Sequence, residues 1–251
     1  MITHRVFLFW LLYLVIVLFG LGVLFYLNLP QLALHHDHSY LTVLLFAMYG
    51  TAEVLSGIQA WRISRENHIA DNVVRWLSWN KLGKIEASRE GGIVIWNTDG
   101  GLRHEIPRSV IAEHLTLLSV KANAGQRRIR QSTIIDVTAD RLYSRAMIAD
   151  FIGTRIVWVG ILATILGVIM AFWPMINGLS VDMMKANISQ FFGGIAVAFI
   201  PTAVSFVMKI VLDFNTRIIA SGVRDLIDKI ACVSETDVLP FLDGDGDTTV
   251  L

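Results

Sequence analysis

IVWVGILATILGVIMAFW, residues 156–173, is an uncharged apolar stretch long enough to cross a lipid bilayer as one helix. Its small residues recur at helical spacing and share one face, where they let another helix come close. That face consists of Gly160, Ala163, Thr164, Gly167 and Ala171. Thr164 lies near the middle of the stretch, so its hydroxyl is predicted near the bilayer midplane on the packing face.

A second stretch, residues 191–212, carries the same pattern around Thr202. The residues on its small face are Gly194, Ala198, Thr202 and Ser205. A hydroxyl at this depth on a packing face helps to coordinate an ion or a buried carboxylate, which favours an ion path. The alternative is that both threonines only hydrogen-bond the backbone and ease helix packing.

The composition places the chain in a membrane. Of its 251 residues 54% are hydrophobic and only 17% are charged, which is too apolar for an ordinary soluble domain. Four stretches are long enough to span the bilayer, namely residues 6–29, 40–61, 156–173 and 191–212. The predicted fold class is an all-α integral membrane protein with four transmembrane helices in two hairpins, long cytoplasmic helical extensions and a small cytoplasmic block containing a β-hairpin.

Basic residues predict the orientation. Of 21 lysines and arginines, only Lys185 lies in the two connecting segments that must share one side, residues 30–39 and 174–190. These segments are therefore predicted outside, and both termini cytoplasmic. The predicted domains are a first transmembrane hairpin (1–61), a cytoplasmic domain (62–148), a core with the third and fourth spans and their extensions (149–232) and a cytoplasmic tail (233–251).

The cytoplasmic block is predicted to combine helix with a small hairpin. An apolar stripe at helical spacing predicts a helix over residues 63–90. The apolar runs 93–96 and 102–106 flank an Asp-Gly step, which is typical of a β-hairpin. Ser109 is a suitable cap for a helix that runs to about Lys121.

Both C-terminal spans are predicted to continue as helices into the cytoplasm. Residues 134–155 contain no strong helix breaker except Gly153, so helix is predicted from Thr133 straight into the third span. An amphipathic pattern continues the fourth span to about Cys232. This lone cysteine is expected to pack rather than to form an intramolecular disulfide.

Several function classes find no support. The formal net charge is zero and no cluster of basic and aromatic residues occurs, which argues against nucleic-acid binding. The sequence contains no nucleotide-binding loop, Ser-His-Asp set or paired-carboxylate hydrolase pattern. Neither an enzymatic activity nor a cofactor is predicted.

Two charged residues within the spans need a partner. Glu53 is the only acid inside any span, and a carboxylate there is costly unless it is paired or reached by water. Two interpretations stay open, a structural pairing with Arg62 or another subunit, and a role in ion exit. Lys209, near the inner end of the fourth span, is expected to extend toward the headgroups.

Two clusters outside the spans resemble metal sites only weakly. His35, His36 and His38 with Asp37 offer zinc or copper ligands, and a membrane protein that handles metal is a further hypothesis. A solvated loop is the favoured interpretation, because a short turn cannot readily wrap adjacent residues around one ion. The tail acids Asp243, Asp245 and Asp247 lack the sixth-position glycine of a calcium loop, so no metal site is predicted.

The two threonine-bearing stretches contain no titratable group at midplane. This chain alone therefore cannot relay protons through that point. If ions pass there, a second polypeptide must supply the carboxylate.

The residues around both threonines resemble a known family. Residues 159–168, VGILATILGV, are similar to the Gly-Leu-Leu-Gly-Thr-Val-Leu-Gly signature of the MotA/TolQ/ExbB proton-channel family, with Ala163 where glycine is usual. Residues 196–203, AVAFIPTA, resemble the Ala-x-Ala-Leu-Leu-Thr-Thr segment of the MotA branch, with Pro201 replacing the first threonine. The resemblance implies that Thr164 and Thr202, with Ala163 and Pro201 beside them, line an ion pathway.

The four spans and the central cytoplasmic block also resemble the MotA branch. The resemblance implies a pentamer around two copies of a single-span MotB/TolR/ExbD-like partner. The partner helix would pack against small residues of this chain, which would include Gly160, Gly167, Gly194, Ala198 and Ser205. The partner's aspartate would be protonated and deprotonated as protons descend their gradient, and this ion flow would turn one ring against the other. The alternative is a non-conducting membrane scaffold that recruits a cytoplasmic partner.

Overall fold

The computed structural model describes residues 4–26, 41–88, 92–98, 101–123, 131–176 and 181–242. In chain order its elements are α1 (Arg5–Tyr26), α2 (Leu41–Trp79), β1 (Leu82–Ala87), β2 (Ile93–Asn97), β3 (Arg103–Ile106), α3 (Val110–Asn123), α4 (Ser132–Ala146), α5 (Ile148–Ile176), α6 (Val181–Val233), a π-helical turn (Ser234–Val238) and α7 (Leu239–Leu242). Within the residues described, four helices are long and apolar enough to cross a membrane. The predicted all-α membrane class with four spans is confirmed.

The described residues form two compact units. The membrane unit consists of Phe9–Ile58 and Met147–Arg217. The extramembrane unit consists of Met1–Leu8, Gln59–Ala146 and Ile218–Leu251. The long helices α2 and α6 each contribute an apolar part to the first unit and a more polar part to the second.

Within the membrane unit, α1 presents most of its side chains outward. Phe9 and Phe19 are 62% and 74% exposed, which suits lipid better than water. Trp10 is buried instead and packs on Gly57 of α2, where an added Cβ would lie 2.7 Å from the indole ring. The Tyr13 ring stacks on Phe214 of α6, with centroids 5.2 Å apart. These contacts hold α1 against α2 and α6.

The core of the membrane unit is built from α2, α5 and α6. Its buried apolar residues include Leu45, Ala52, Ile156, Met208 and Leu212. Such burial removes apolar side chains from contact with lipid and fixes the three helices by close packing.

The predicted helix over residues 63–90 is wrong in its last part. Helix α2 ends at Trp79, and β1 pairs antiparallel with β2, with Ile85 opposite Ile95. Gly83 weakens the predicted helix, because glycine disfavours helix by about 1 kcal/mol, and pairing with β2 stabilises the strand form. Gly83 also lets the backbone approach its neighbour closely, since a Cβ at this position would lie 2.6 Å from the Thr98 nitrogen.

The predicted hairpin is confirmed as β2 and β3, within a three-stranded sheet of order β1-β2-β3. Ile93 lies opposite Ile106, and Trp96 lies opposite Arg103. The Asp-Gly step at 99–100 lies outside the described residues. The sheet therefore contains one strand more than the sequence pattern indicates.

The start of α3 is fixed by two acceptors. The Ser109 Oγ atom accepts the Ala112 N–H at 3.4 Å, which confirms the predicted cap. Glu66 Oε2 of α2 accepts the Val110 N–H at 2.9 Å. Helix α3 is thereby attached to α2, and its end at Asn123 is close to the predicted one.

Two predicted helix boundaries need correction. The uninterrupted helix expected from Thr133 into the third span has a turn at Met147 between α4 and α5. No proline or glycine marks this turn in the sequence. The predicted outer connection over residues 174–190 is already helical from Val181, where α6 begins, and α6 ends at Val233 close to the predicted Cys232.

Polar contacts join α2 and α6 in the extramembrane unit. Asn67 Nδ2 donates a hydrogen bond to the Gly222 carbonyl at 2.9 Å. Lys229 Nζ forms ion pairs of 2.8 Å with both Asp71 and Asp225. The continuation of α6 beyond the membrane unit is therefore supported by α2.

Candidate ion pathway

Helices α5 and α6 pack closely along their predicted small faces, and this contact is called the α5–α6 seam. A Cβ added to Gly167 would lie 2.5 Å from Ala198 Cβ, and one added to Gly160 would lie 2.7 Å from Ser205 Cβ. A larger residue at either glycine therefore requires the helices to separate. The helix that approaches these faces belongs to the same chain, and contact with a partner helix stays a prediction.

Thr164 and Thr202 meet in this seam. Their Oγ1 atoms are hydrogen-bonded to each other. Thr164 Oγ1 also donates to the Ala198 carbonyl at 2.9 Å, and Thr202 Oγ1 donates to the Gly160 carbonyl at 2.7 Å. Each threonine thus reaches the backbone of the opposite helix, and both side chains are half-buried.

The two hydroxyls have fewer protons than acceptors. Each hydroxyl donates one proton, whereas four hydrogen bonds are within reach: the one between the hydroxyls, those of Thr164 with the carbonyls of Ala198 and, at 3.4 Å, Gly160, and that of Thr202 with the Gly160 carbonyl. Only two of these four hydrogen bonds are donated at one time. Rotation about a C–O bond can therefore exchange the donors without moving either helix.

The other two predicted pathway residues also lie in these helices. Ala163 is buried in α5, and Pro201 is buried inside α6 next to Thr202 in the sequence. Because proline has no N–H, the carbonyl four residues earlier lacks its usual helical donor. The surroundings of Gly194 lie outside the part of the chain whose side chains are described.

An ion-pair cluster between the membrane-unit parts of α5 and α6 was not predicted. Lys209 Nζ lies 2.6 Å from Asp150 Oδ1 and also contacts Asp213. The expected extension of Lys209 toward the headgroups stays a prediction, and the structure adds that two carboxylates bind its ammonium and that its side chain is only 20% exposed. The i,i+4 spacing of Lys209 and Asp213 is a sequence signal for one pair. The contact with Asp150 requires the register of the two helices.

Glu53 is paired inside the membrane unit. It is 9% exposed, and its Oε2 atom accepts a hydrogen bond from Asn215 Nδ2 at 2.8 Å. Tyr49 lies beside the carboxyl, but Oε1 forms no hydrogen bond with any described residue. The structure thus shows an amide partner on α6, while the predicted role in ion exit or intersubunit pairing stays a prediction.

Two predicted clusters cannot be placed. The histidine loop, with His35, His36, Asp37 and His38, lies outside the described residues. The acidic tail with Asp243, Asp245 and Asp247 also lies outside them.

The fold and the seam define a class of protein. It is a helical membrane protein in which two closely packed spans each contribute one hydroxyl to a hydrogen-bonded pair. The family is shown by residues 103–231, which match the MotA/TolQ/ExbB proton channel family. The match covers just over half of the chain, and the chain belongs to this family. Comparison with curated proteins and with solved structures gives no match.

Family membership has a functional consequence. The chain is a proton-channel subunit of an energy-transducing complex, and its family is one of channels rather than enzymes. Members assemble into oligomers with single-span partner proteins. The matched region begins at β3, well before the predicted boundary at residue 149, and it includes α3, α4, α5 and most of α6.

Proposed function

We propose that the chain is the channel subunit of a rotary motor driven by the proton-motive force in the bacterial inner membrane, with both termini cytoplasmic. It forms a homopentameric ring around two copies of a single-span MotB/ExbD-like partner whose aspartate carries the proton. The observation that carries this proposal is the hydrogen-bonded pair of Thr164 and Thr202 in the seam of a proton-channel family member. Residues 149–232 form the conducting core, and residues 62–148 form a cytoplasmic domain.

The hydroxyl pair is suited to a carboxyl that changes its protonation state. A threonine hydroxyl both donates and accepts, so it binds the ionised and the protonated form of a partner's aspartate. Residues 156–176 and 191–208 contain no titratable side chain. The proton at this depth therefore resides on the partner, while Thr164 and Thr202 exchange hydrogen bonds with its carboxyl.

The ion-pair cluster of Lys209 supports an exit at the predicted cytoplasmic end of the same helices. Lys209 follows Thr202 by seven residues, which is two turns or about 10 Å along α6. Asp150 and Asp213 place two carboxylates there, both in contact with the ammonium of Lys209. Protons released by the partner's acid thus meet carboxylates before they enter the cytoplasm.

Valine replacement of both threonines tests the proposal, because valine keeps the shape of threonine and removes only the hydroxyl. We expect the complex of Thr164→Val/Thr202→Val with its co-purified partner to assemble normally and to lose most of its proton flux into vesicles, measured with a pH-sensitive dye. Thr51→Val is the matched control, since the exposed Thr51 hydroxyl donates only to the Ala47 carbonyl of its own helix at 2.8 Å. Unaltered flux in the double variant would refute the pathway.

The second candidate function is a non-conducting scaffold that recruits a cytoplasmic partner. It is favoured by one observation, because both hydroxyls already have acceptors within the chain and need no ion. A scaffold tolerates Thr202→Val in every assay and loses assembly with Thr202→Leu, which overfills the seam. A channel loses flux with Thr202→Val while it remains assembled.

A further inference from the structure

A basic cavity lies in the extramembrane unit, between α2, the beginning of α3 and α4. Its volume is about 660 Å³, within the range of about 300–1,000 Å³ that small-molecule sites occupy. The lining includes five arginines but only two glutamates, Glu66 and Glu113. The arginines are Arg62, Arg65, Arg108, Arg141 and Arg145.

The two glutamates do not neutralise this cluster. Glu113 Oε1 lies 3.0 Å from Arg141 Nη1, and Glu66 uses Oε2 to accept the Val110 N–H. Among the described residues, the other four arginines form no ion pair. The cavity therefore has an excess of positive charge and several guanidinium groups with free donors.

The chemistry of the lining selects the kind of anion. A guanidinium presents a planar fork of N–H donors that matches the oxygens of a phosphate group in a bidentate manner. The Ser109 hydroxyl, although its oxygen accepts the Ala112 N–H, keeps a proton to donate, and Thr138 adds a further hydroxyl to the lining. The Thr116 hydroxyl also lines the cavity, but it already donates to the Ala112 carbonyl at 2.8 Å. The Ser109 and Thr138 hydroxyls next to the arginines therefore add donors for a phosphate with several oxygens.

The position of the cavity along α2 indicates where such an anion is available. Arg62 directly follows Trp61, the last residue of the second predicted span, and Arg65 lies about one turn further. Basic pockets at the cytoplasmic ends of spans bind anionic headgroups. We propose that this arginine cavity binds the phosphate group of an anionic ligand, supplied either by a phospholipid headgroup at the membrane surface or by a soluble phosphate. This inference does not rest on ion conduction.

The test measures ligand-dependent thermal unfolding of the full chain in detergent at constant ionic strength. The probes are short-chain phosphatidylglycerol, short-chain phosphatidylcholine and inorganic phosphate. The cavity variant is Arg108→Gln/Arg145→Gln, which removes two guanidinium groups without breaking an ion pair. The matched control is Arg75→Gln/Arg224→Gln, which removes two exposed arginines that do not line the cavity.

A ligand that binds only the folded chain raises its unfolding midpoint, and we expect a rise of about 3 °C or more at saturation. A rise with phosphatidylglycerol alone, present in the parent and control but lost in the cavity variant, supports the site with a lipid headgroup as ligand. The same pattern with inorganic phosphate supports the site with a soluble ligand. Absence of a rise with both probes, or equal rises in all three proteins, overturns the proposal.

A second double variant that keeps the positive charge provides a test that does not depend on whether the glutamine variant folds. Arg108→Lys/Arg145→Lys keeps the positive charge but removes the bidentate fork. We expect it to fold as the parent does and to bind the effective probe at least about tenfold more weakly, a difference that corresponds to about 1.4 kcal/mol. Unchanged affinity in this variant would also overturn the assignment.

Discussion

His114 makes the folded chain sensitive to acid. It lies in α3, is 1% exposed, and neither ring nitrogen has a hydrogen-bond partner among the described residues. Burial lowers the pKa of His114 to about 4 from its ordinary value of 6.5, despite the neighbouring Gln131. Gln131 Nε2 donates to Glu235 at 2.7 Å, so only the Gln131 Oε1 atom is left to accept from the ring, and its raising effect on the pKa of His114 is smaller than the lowering effect of burial.

The sign and size of the effect follow from the two pKa values. The unfolded chain binds a proton at His114 below about pH 6.5, whereas the folded chain does so only below about pH 4. Stability is therefore complete above pH 6.5, falls as the pH decreases toward 4, and does not change further below that. At about 1.4 kcal/mol per pH unit the total loss is about 3 kcal/mol, of which about 2 kcal/mol is lost between pH 7 and pH 5.

The measurement is the free energy of unfolding of the detergent-solubilised chain at pH 7 and pH 5, followed by tryptophan fluorescence during denaturant titration. His114→Leu removes the titrating ring at similar volume, so we expect its loss of stability between these pH values to be about 2 kcal/mol smaller than that of the parent. His114→Gln stays polar and cannot titrate, and it should show the same reduced dependence. Equal pH dependence in the parent and both variants would refute the assignment.

Three further predictions concern the membrane unit. Gly167→Leu forces α5 and α6 apart and should reduce the yield of assembled complex in size-exclusion chromatography, whereas Gly20→Leu, with open space around it, should not. Glu53→Ala leaves a buried amide unpaired and should lower the unfolding free energy by about 1–3 kcal/mol, while Glu53→Gln retains an acceptor and should recover most of it in the same titration. Lys209→Met leaves two facing carboxylates without their cation and should lower the thermal midpoint, and adding Asp150→Asn should recover part of the loss; additive effects would contradict the ion-pair cluster.

The spans and the main helix boundaries were predictable because they depend on local patterns. A long run without charges requires internally satisfied backbone in lipid, so helix is the only solution for residues 156–173. The cap at Ser109 is equally local, because its hydroxyl lies three residues before the N–H that it accepts. The small faces around Thr164 and Thr202 follow from helical period alone.

The strand and the contacts that sequence analysis did not predict depend on residues far apart in the sequence. β1 lies in a segment with residual helical pattern, and its strand form is stabilised by pairing with β2. The bond between Lys209 and Asp150 joins residues 59 positions apart in the sequence. The amide partner of Glu53 is 162 positions away, on α6. No local pattern specifies the register that brings such residues together.

The tight seam restricts how a partner's acid reaches the two hydroxyls. Ser205 and Ala198 already occupy the space beside Gly160 and Gly167. No third helix therefore fits between α5 and α6 at this depth. The half-buried state of Thr164 leaves one side of the hydroxyl pair accessible. In the proposed complex the partner helix must therefore lie across the outer edge of the seam, where its carboxyl replaces one hydrogen bond of the pair. A partner helix located between α5 and α6 would contradict this arrangement, because it would require the glycine contacts to separate.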